Sequence, residues 1–457
     1  MSVQSVGTTY FLSQRAEVLG VTKLLASIFP DCYQSMLQIA FYMLNRGNVL
    51  LYMDDYFEMV ESPSHDTVSQ RHLNRIYEQI TYEKRWEFFK QWKSLIVKED
   101  EYVAYDVTSI STHAKDVSFA ERGYNRDHEL LPQINVGLFF AHSATLSVGY
   151  DIYNGSITDQ TYLPTMLVVA KELGIKPLLF VMDKGFLNAN NLNEMVEEVP
   201  FLMSVPPGQT IYKDKFLQAE PTIRDYDHYI EDNGVYGIKD GITIDGNDYS
   251  LHVYLDYEKV TIDERVIYQR IREKEQSLEK ALKRQRRVPK SEFFEIEMEK
   301  EKVISYKKDK EGIQKALKCA GMFGLISNKT DITPENALKI YRRRNAIEAH
   351  YNSMKNFLEF DRLHTHKDQS TQGKFFIEFI AQILQADMIR VMNRLDKKPI
   401  QTIRGMLLEL EKITRVKQGN TVRLMKPLTK KQKDILSIFD IEPKEFEVRI
   451  KKSSPSV

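Results

Sequence analysis

The chain has 457 residues, 64 of them basic and 64 acidic, and 42% hydrophobic, which leaves room for several domains and a substantial core. No apolar run approaches the roughly 18 residues that a membrane span needs, and the N-terminus MSVQSVGTTYFLSQR lacks a basic segment followed by an apolar one, which argues against a secretory signal. Cys32 and Cys319 are the only cysteines, too few for a disulfide framework or a zinc knuckle, and a reducing, cytoplasmic setting is the economical reading.

Residues 1–100 read as a helical region. AEVLGVTKLLASIF, CYQSMLQIAFYMLNRG, TVSQRHLNRIYEQI and YEKRWEFFKQWKSLI each carry apolar residues at three- and four-residue spacing, with Gly47 as a C-cap. In the third, Gln70, Arg71, Asn74 and Arg75 flank an apolar stripe, as on a helix that touches DNA, although structural helices share this look. Trp86 and Trp92 read as core anchors.

After KEDE the pattern turns to strands. EYVAYDVTSI is β-rich and its alternation stops at Asp106, which predicts an aspartate at a strand end. The polar stretch 111–131 reads as a loop, with Gln133 after it a possible neighbour of a site. INVGLFFA and TLSVGYDIYN form a hairpin, residues 159–173 a helix stopped by Gly174, and PLLFVMD a buried strand ending on Asp183. A helix over 188–198 and the strand PFLMSV follow. The order strand, hairpin, helix, strand, helix, strand predicts a mixed α/β sheet with aspartates where ligand chemistry is usual.

From Pro206 that rhythm stops. Asn233-Gly234, Asp240-Gly241 and Asp245-Gly246 predict a meander of tight hairpins over 229–255, and residues 262–288 a charged, largely solvated helical arm. Glu295 to Lys310 can be helix or strand, and GMFGLIS is a strand. Asp331 and Pro334 then open what reads as one long helix through YRRRNAIEAHYNSMK. On it Tyr341, Arg344, Glu348 and Lys355 fall within an arc of about 60°, beside an apolar stripe of Ile340, Ile347, Tyr351, Met354 and Leu358. GKFFIEFIAQILQADMIRVMN is the most apolar helix and is expected to pack on the sheet; helices over 402–413 and 429–439 close the chain. The balance of charge is local: from Arg390 on there are 17 Lys and Arg against 8 Asp and Glu, and from Arg265 to Lys310 15 against 9. The first of these basic runs suits a DNA-binding or dimerisation surface, or simply a solvated face.

Asp106, Asp183 and Glu348 are acids that this fold can bring together from separate elements. Converging carboxylates repel one another unless a cation neutralises them, and hard oxygen donors suit Mg²⁺ or Mn²⁺. Two such ions about 4 Å apart would serve phosphodiester chemistry, with Arg344, Lys355 and Tyr341 as phosphate contacts. His364 and His366 form an H-x-H pair without a third ligand in spacing, so exposed or phosphate-facing histidines are the simpler reading. Gly234, Gly237 and Gly241 do not follow a strand-to-helix pattern, which argues against a nucleotide-binding loop.

The spacing Y-x₂-R-x₃-E-x₆-K at Tyr341, Arg344, Glu348 and Lys355, with YDVTSI, LLPQINVGL, GYDIYNGSITD and VMDKGF in that order, resembles the DDE-type insertion-sequence transposases with a Y-R-E-K signature. The resemblance covers approximately Tyr102 to Phe376; Lys184 stands where arginine is frequent, and FDRLHTHK replaces the more usual Arg-Pro. It implies a ribonuclease-H-like mixed α/β sheet with helices on both faces. The core is expected over 101–206 and 329–396, interrupted by a β-rich and helical insertion domain over 207–328, with a DNA-end-binding helical region over 1–100 and a basic helical region over 397–457. It also implies Asp106, Asp183 and Glu348 as catalytic metal ligands for Mg²⁺ or Mn²⁺, DNA contacts from Tyr341, Arg344 and Lys355, and no membrane. Double-stranded DNA bearing terminal inverted repeats and target DNA are the implied partners, bound by a homodimer in a cytoplasmic, nucleoid-associated setting. The rival readings are a nuclease of the same fold that cuts without joining, and a non-catalytic DNA-binding derivative.

Overall fold

The computed structural model describes residues 2–64, 66, 68–98, 102–125, 129–175, 179–418 and 421–452. It divides into two compact units, Met1–Leu178 with Arg344–Val457, and Leu179–Arg343.

In the first unit, strand Tyr102–Ser111 pairs antiparallel with Gln133–Ala141, which pairs antiparallel with Leu146–Asn154. Alternation of large apolar side chains and cover on both faces leave nearly every residue of these strands buried. The cover comes from helix Asp368–Asn393, whose apolar residues run all round its circumference, and from helix Tyr82–Ile96. Phe89, Tyr150, Phe376 and Phe379 meet there with ring centroids 5.1 to 6.0 Å apart, and Trp92 donates from Nε1 to the Ser147 carbonyl at 2.9 Å. Trp86 and Trp92 are the core anchors expected. Helix Tyr33–Arg46 stops at Gly47, whose φ of 84° explains the glycine. The segment read as a single helix over 16–29 is instead Gly7–Val18 and Val21–Ile28, parted by Gly20 at φ 79°. The C-terminal region is not purely helical: Thr414–Gln418 pairs with Thr421–Leu424 and with Ser2–Ser5.

In the second unit, Leu179–Met182 runs parallel to Phe201–Ser204, the neighbour expected of strands joined through a helix, here Ala189–Glu198. The sheet continues antiparallel through Met322–Ser327, Asn247–Leu255 and Val235–Ile244. Three expectations change. Asp240-Gly241 lies inside strand Val235–Ile244, because its backbone is held in register by Leu251 and Ser250 of the neighbouring strand. Helix Thr210–Ala219 occupies a stretch given no element by its sequence. The charged helix, Tyr257–Arg284, is not a solvated arm: Ile267, Ile271, Leu278 and Ala281 on one face join Val288, Phe293, Phe294, Val303 and Ala316 in a small core of its own. The undecided stretch after it is a hairpin, Phe294–Glu299 with Lys302–Lys308, turned by Lys300 and Glu301 at positive φ.

The long helix expected from Pro334 is two helices, Pro334–Arg342 and Asn345–Asn356. Thr333, rather than Asp331, caps the first through its side chain. Arg343 and Arg344 keep right-handed φ and ψ, but the Ile347 amide bonds to the carbonyl of Arg344, three residues back, so the second helix opens on a tight turn of its own. No glycine or proline marks the place, which is why the sequence reads through it.

Candidate active site

Asp106 lies in the middle of strand Tyr102–Ser111, opposite Leu138, and not at its end. The loss of alternation after Asp106 reflects burial of both faces from Val107 to Ser111, not termination. Its side chain, 15% exposed, breaks the buried run as the single acid on the strand. Helix Asn345–Asn356 crosses this strand. Ile347, Tyr351, Met354 and, just beyond the helix, Leu358 are buried, as the helical wheel predicts, and the Tyr351 hydroxyl donates to the carbonyls of Asp106 at 2.7 Å and Val136 at 3.3 Å. One phenol thereby ties the helix to the strand at the acid itself.

Arg344, where this helix starts, turns its guanidinium to both carboxylates: Nη1 lies 3.3 Å from Asp106 Oδ2 and Nη2 2.5 Å from Glu348 Oε1. The Arg344 side chain is 9% exposed, while Glu348 is half exposed. Two acids 242 residues apart therefore share one cation. Lys355, half-buried, sits toward the end of the same helix. It adds to the field that holds the Glu129 carboxyl below the usual carboxylate range, where hydrogen bonds from Ser111 and then Arg362 are the larger causes.

Asp183 belongs to the second unit and stands at the C-terminal end of strand Leu179–Met182, as expected. It caps the short helical turn Lys184–Phe186: its Oδ1 accepts from the Lys184 amide at 2.7 Å and from the Ser204 hydroxyl at 2.9 Å. The Tyr341 hydroxyl is directed at the same oxygen at 3.5 Å. Ser204 was missed by the sequence reading. Its signal was present: one hydroxyl closing an apolar strand parallel to the one that ends on Asp183.

Behind Glu348 runs a buried polar row. His350 donates from Nε2 to Gln382 Oε1 at 2.6 Å and lies 2.9 Å from Ser147 Oγ; Gln382 in turn donates to Glu378 Oε1 at 2.5 Å. Burial pushes His350 down to about 4, so it is neutral near pH 7, and raises the Glu378 carboxyl well above its ordinary range. Lys374, Glu378 and Gln382 recur every four residues in a largely apolar helix, a polar stripe that is visible in the sequence.

Other candidates fall elsewhere. Gln133 is fully buried and latches the loop before it, donating to the carbonyls of Tyr124 at 2.9 Å and Gly155 at 3.1 Å. Arg71, Asn74 and Arg75 are exposed on helix Gln70–Gln79; the side chain of Gln70 lies outside the described residues. Among the described residues no three His, Cys, Asp or Glu side chains gather closely enough to share one metal ion, and no helix is long and apolar enough to cross a membrane.

With this geometry in hand, the chain compares as follows. A family model described as "Transposase DDE domain" matches residues 98–384. A comparison with curated proteins finds no match. Among solved structures, the cryo-EM structure of the piggyBac transposase synaptic complex with hairpin DNA is similar at 11% identity and a TM-score of 0.38, over 86% of this chain and 69% of that one.

Proposed function

The chain belongs to the transposase DDE-domain family, and from that premise we propose that it binds the terminal inverted repeats of its own mobile element, cleaves DNA there and joins the freed 3′ ends to a target. The catalytic acids in this reading are Asp106, Asp183 and Glu348. The observation that carries it is the sharing of Arg344 by Asp106 and Glu348, within the span that the family matches. Side chains so far apart in sequence share a buried guanidinium where a site needs both acids together.

The chemistry of the donors suits a hard divalent cation, since each of the three offers carboxylate oxygens; in this structure Arg344 supplies the positive charge between Asp106 and Glu348, and among the described residues no three acids gather at one point. Asp106, Asp183 and Glu348 would hold Mg²⁺ or Mn²⁺, which supplies activation of water or a 3′-hydroxyl and neutralisation of the leaving oxygen. The residues around them have separate tasks. Tyr351 fixes the strand backbone at Asp106, Ser204 and the Lys184 amide orient the Asp183 carboxylate, and Arg344 balances the charge of its two acids. Tyr341 and Lys355 are assigned to phosphates at the element ends, and Arg344 joins them when it releases a carboxylate. The helical region over 1–100 is assigned to DNA-end recognition, and residues 207–328 act as an insertion domain within the catalytic core. Two DNA ends require two active sites, so the working form is a homodimer on DNA.

The test is a strand-transfer assay. Full-length protein is incubated in Mg²⁺ with double-stranded DNA carrying the inverted repeats that flank its gene, and with a target plasmid. Joined products are expected from the native chain and from none of Asp106→Asn, Asp183→Asn and Glu348→Gln. Cleavage without joining would replace transposition by simple nuclease action.

A further inference from the structure

The first unit holds a cleft of about 480 Å³, lined by residues 48–51, by Leu73, Asn74 and Tyr77 of helix Gln70–Gln79, and by residues 364–367, Gln369 and Ser370. Lys374 is at its base. This lysine is 3% exposed, and its ammonium donates to Asn48 Oδ1 at 2.5 Å and to the Leu363 carbonyl at 3.0 Å, while lying 5.5 Å from the Phe360 ring centroid. Both acceptors are neutral. Glu378, one turn further along, is fully buried, and burial raises its carboxyl well above the ordinary range. A buried ammonium among neutral partners either gives up its proton or calls for an anion.

A second feature of the cleft has the same sign. Lys367, Gln369 and Ser370 line it, and they form the amino end of the 26-residue helix Asp368–Asn393, where Lys367 as N-cap offers no side-chain acceptor. The first-turn amides and the helix dipole present positive charge there. His364 and His366 also line the wall, against one acid, Glu78. Asp368 itself is turned to the Ser118 amide and hydroxyl. The cleft is braced: Asn48 donates to the carbonyls of Glu359 and Arg362, and a Cβ on Gly373 would come within 2.7 Å of Tyr77 Cβ, so the two helices meet closely. The exposed Arg71, Asn74 and Arg75 continue from its rim.

We propose that this cleft binds a phosphodiester group of DNA, with Lys374 at the base and the amino end of helix Asp368–Asn393, His366 and Lys367 at the mouth. The inference rests on the reading of the chain as a DNA-handling enzyme and adds to it an anion site distinct from the three acids. Burial lowers the Lys374 amine to about 7 against the smaller, opposing effect of Glu378, and a phosphate would draw it further back to the charged form.

Binding is measured in EDTA, so that cleavage plays no part, with full-length protein and a labelled duplex carrying the inverted repeat. Lys374→Met is expected to weaken the duplex about tenfold, the loss of one charge-assisted hydrogen bond, and to lower the slope of log affinity against log salt by about one. The exposed pair His366→Ala with Lys367→Ala is expected to weaken it severalfold. Inorganic phosphate is expected to compete with duplex on the native chain and not on Lys374→Met. Native affinity and slope in a Lys374→Met protein that melts cooperatively would overturn the proposal. So would phosphate binding that depends on Lys374 without any change for DNA, which would make the cleft a free-phosphate site. If Lys374→Met does not fold, unchanged binding by the His366/Lys367 double variant overturns it. Failure of strand transfer with these binding results intact would remove the transposase reading and leave the anion site standing.

Discussion

The two units differ in where they place their ion pairs. The first buries it in pairs: Arg15 meets Asp387 at 2.7 Å with side chains 7% and 0% exposed, Arg390 shares that aspartate at 2.7 Å, and Arg344 shares Asp106 and Glu348. In the second, the ion pairs among the described residues lie nearer the surface, as Lys213 with Glu292 and Lys215 with Asp240 do, and the buried His252 is kept neutral. His252, with no exposure, is pushed down to about 4, burial being the larger cause and the Lys239 charge the smaller. Asp183 is held by a hydroxyl and a backbone amide, not by a cation. A carboxylate oriented by a shared guanidinium loses its counter-charge when that residue is removed, whereas one oriented by neutral donors keeps its charge state and loses only direction.

The largest effects belong to the acids. Replacing Asp106, Asp183 or Glu348 by its amide is expected to lower DNA cleavage on the order of a thousandfold, several kcal/mol of transition-state stabilisation. Single-turnover cleavage in Mg²⁺ measures this, and a tenfold loss or less at any of the three would remove that residue from the catalytic set. Next comes the interior pairing of the first unit. Arg15→Met leaves Asp387 fully buried with Arg390 alone, and should cost about 3 kcal/mol in urea unfolding, whereas Lys213→Ala in the second unit should cost less than about 0.5 kcal/mol. Equal costs would erase the contrast between the units.

Much of this was legible in the sequence wherever a local rule coincided with the packing. Helix Tyr82–Ile96, the hairpin over 133–154, strand Leu179–Met182 with Asp183 at its end, and Gly47 and Gly174 as stops each follow from periodicity and turn chemistry that burial then reinforces. The misses share one cause, that a partner distant in sequence decides the outcome. Asp106 is internal to its strand because cover on both faces makes Val107 to Ser111 all buried, which looks like the end of an alternation. Asp240-Gly241 is a turn signal overruled by strand pairing. The charged helix Tyr257–Arg284 buries Ile267, Ile271 and Leu278 only because the hairpin after it supplies Phe294 and Val303. For the site, the residue types were readable, but the single helical face was not, since Tyr341 lies on helix Pro334–Arg342 and Glu348 and Lys355 on Asn345–Asn356; the burial of Arg344, its grip on two acids and the role of Ser204 likewise depend on three-dimensional neighbours.

His252 provides a pH test of the same contrast. Its folded value of about 4 lies below the ordinary 6.5, so between those values the unfolded chain binds a proton that the folded chain refuses. The contribution to stability is complete above about pH 6.5 and is lost as the pH falls toward 4, amounting to at most about 3 kcal/mol. His252→Leu should flatten that part of the stability curve. If the melting temperature of this variant falls between pH 6.5 and 4 as steeply as that of the native chain, His252 is not the group that titrates there.

The smallest expected effect is at Ser204, and it bears most directly on how Asp183 is held. Its hydroxyl donates to Asp183 Oδ1 and accepts from the Lys184 amide at 2.9 Å, so Ser204→Ala removes two neutral contacts and no charge. The Lys184 amide still reaches Asp183 Oδ1 at 2.7 Å, and the capped turn has a reason to survive. About 1 kcal/mol of stability should be lost, with a cleavage rate reduced far less than by Asp183→Asn and a requirement for higher Mg²⁺, because the carboxylate is present but no longer aimed. Threonine, which keeps the hydroxyl, should restore the Mg²⁺ dependence. A cost near that of Arg15→Met, or a Mg²⁺ requirement unmoved by the loss of the hydroxyl, would mean that Asp183 is oriented by something other than the neutral donors beside it.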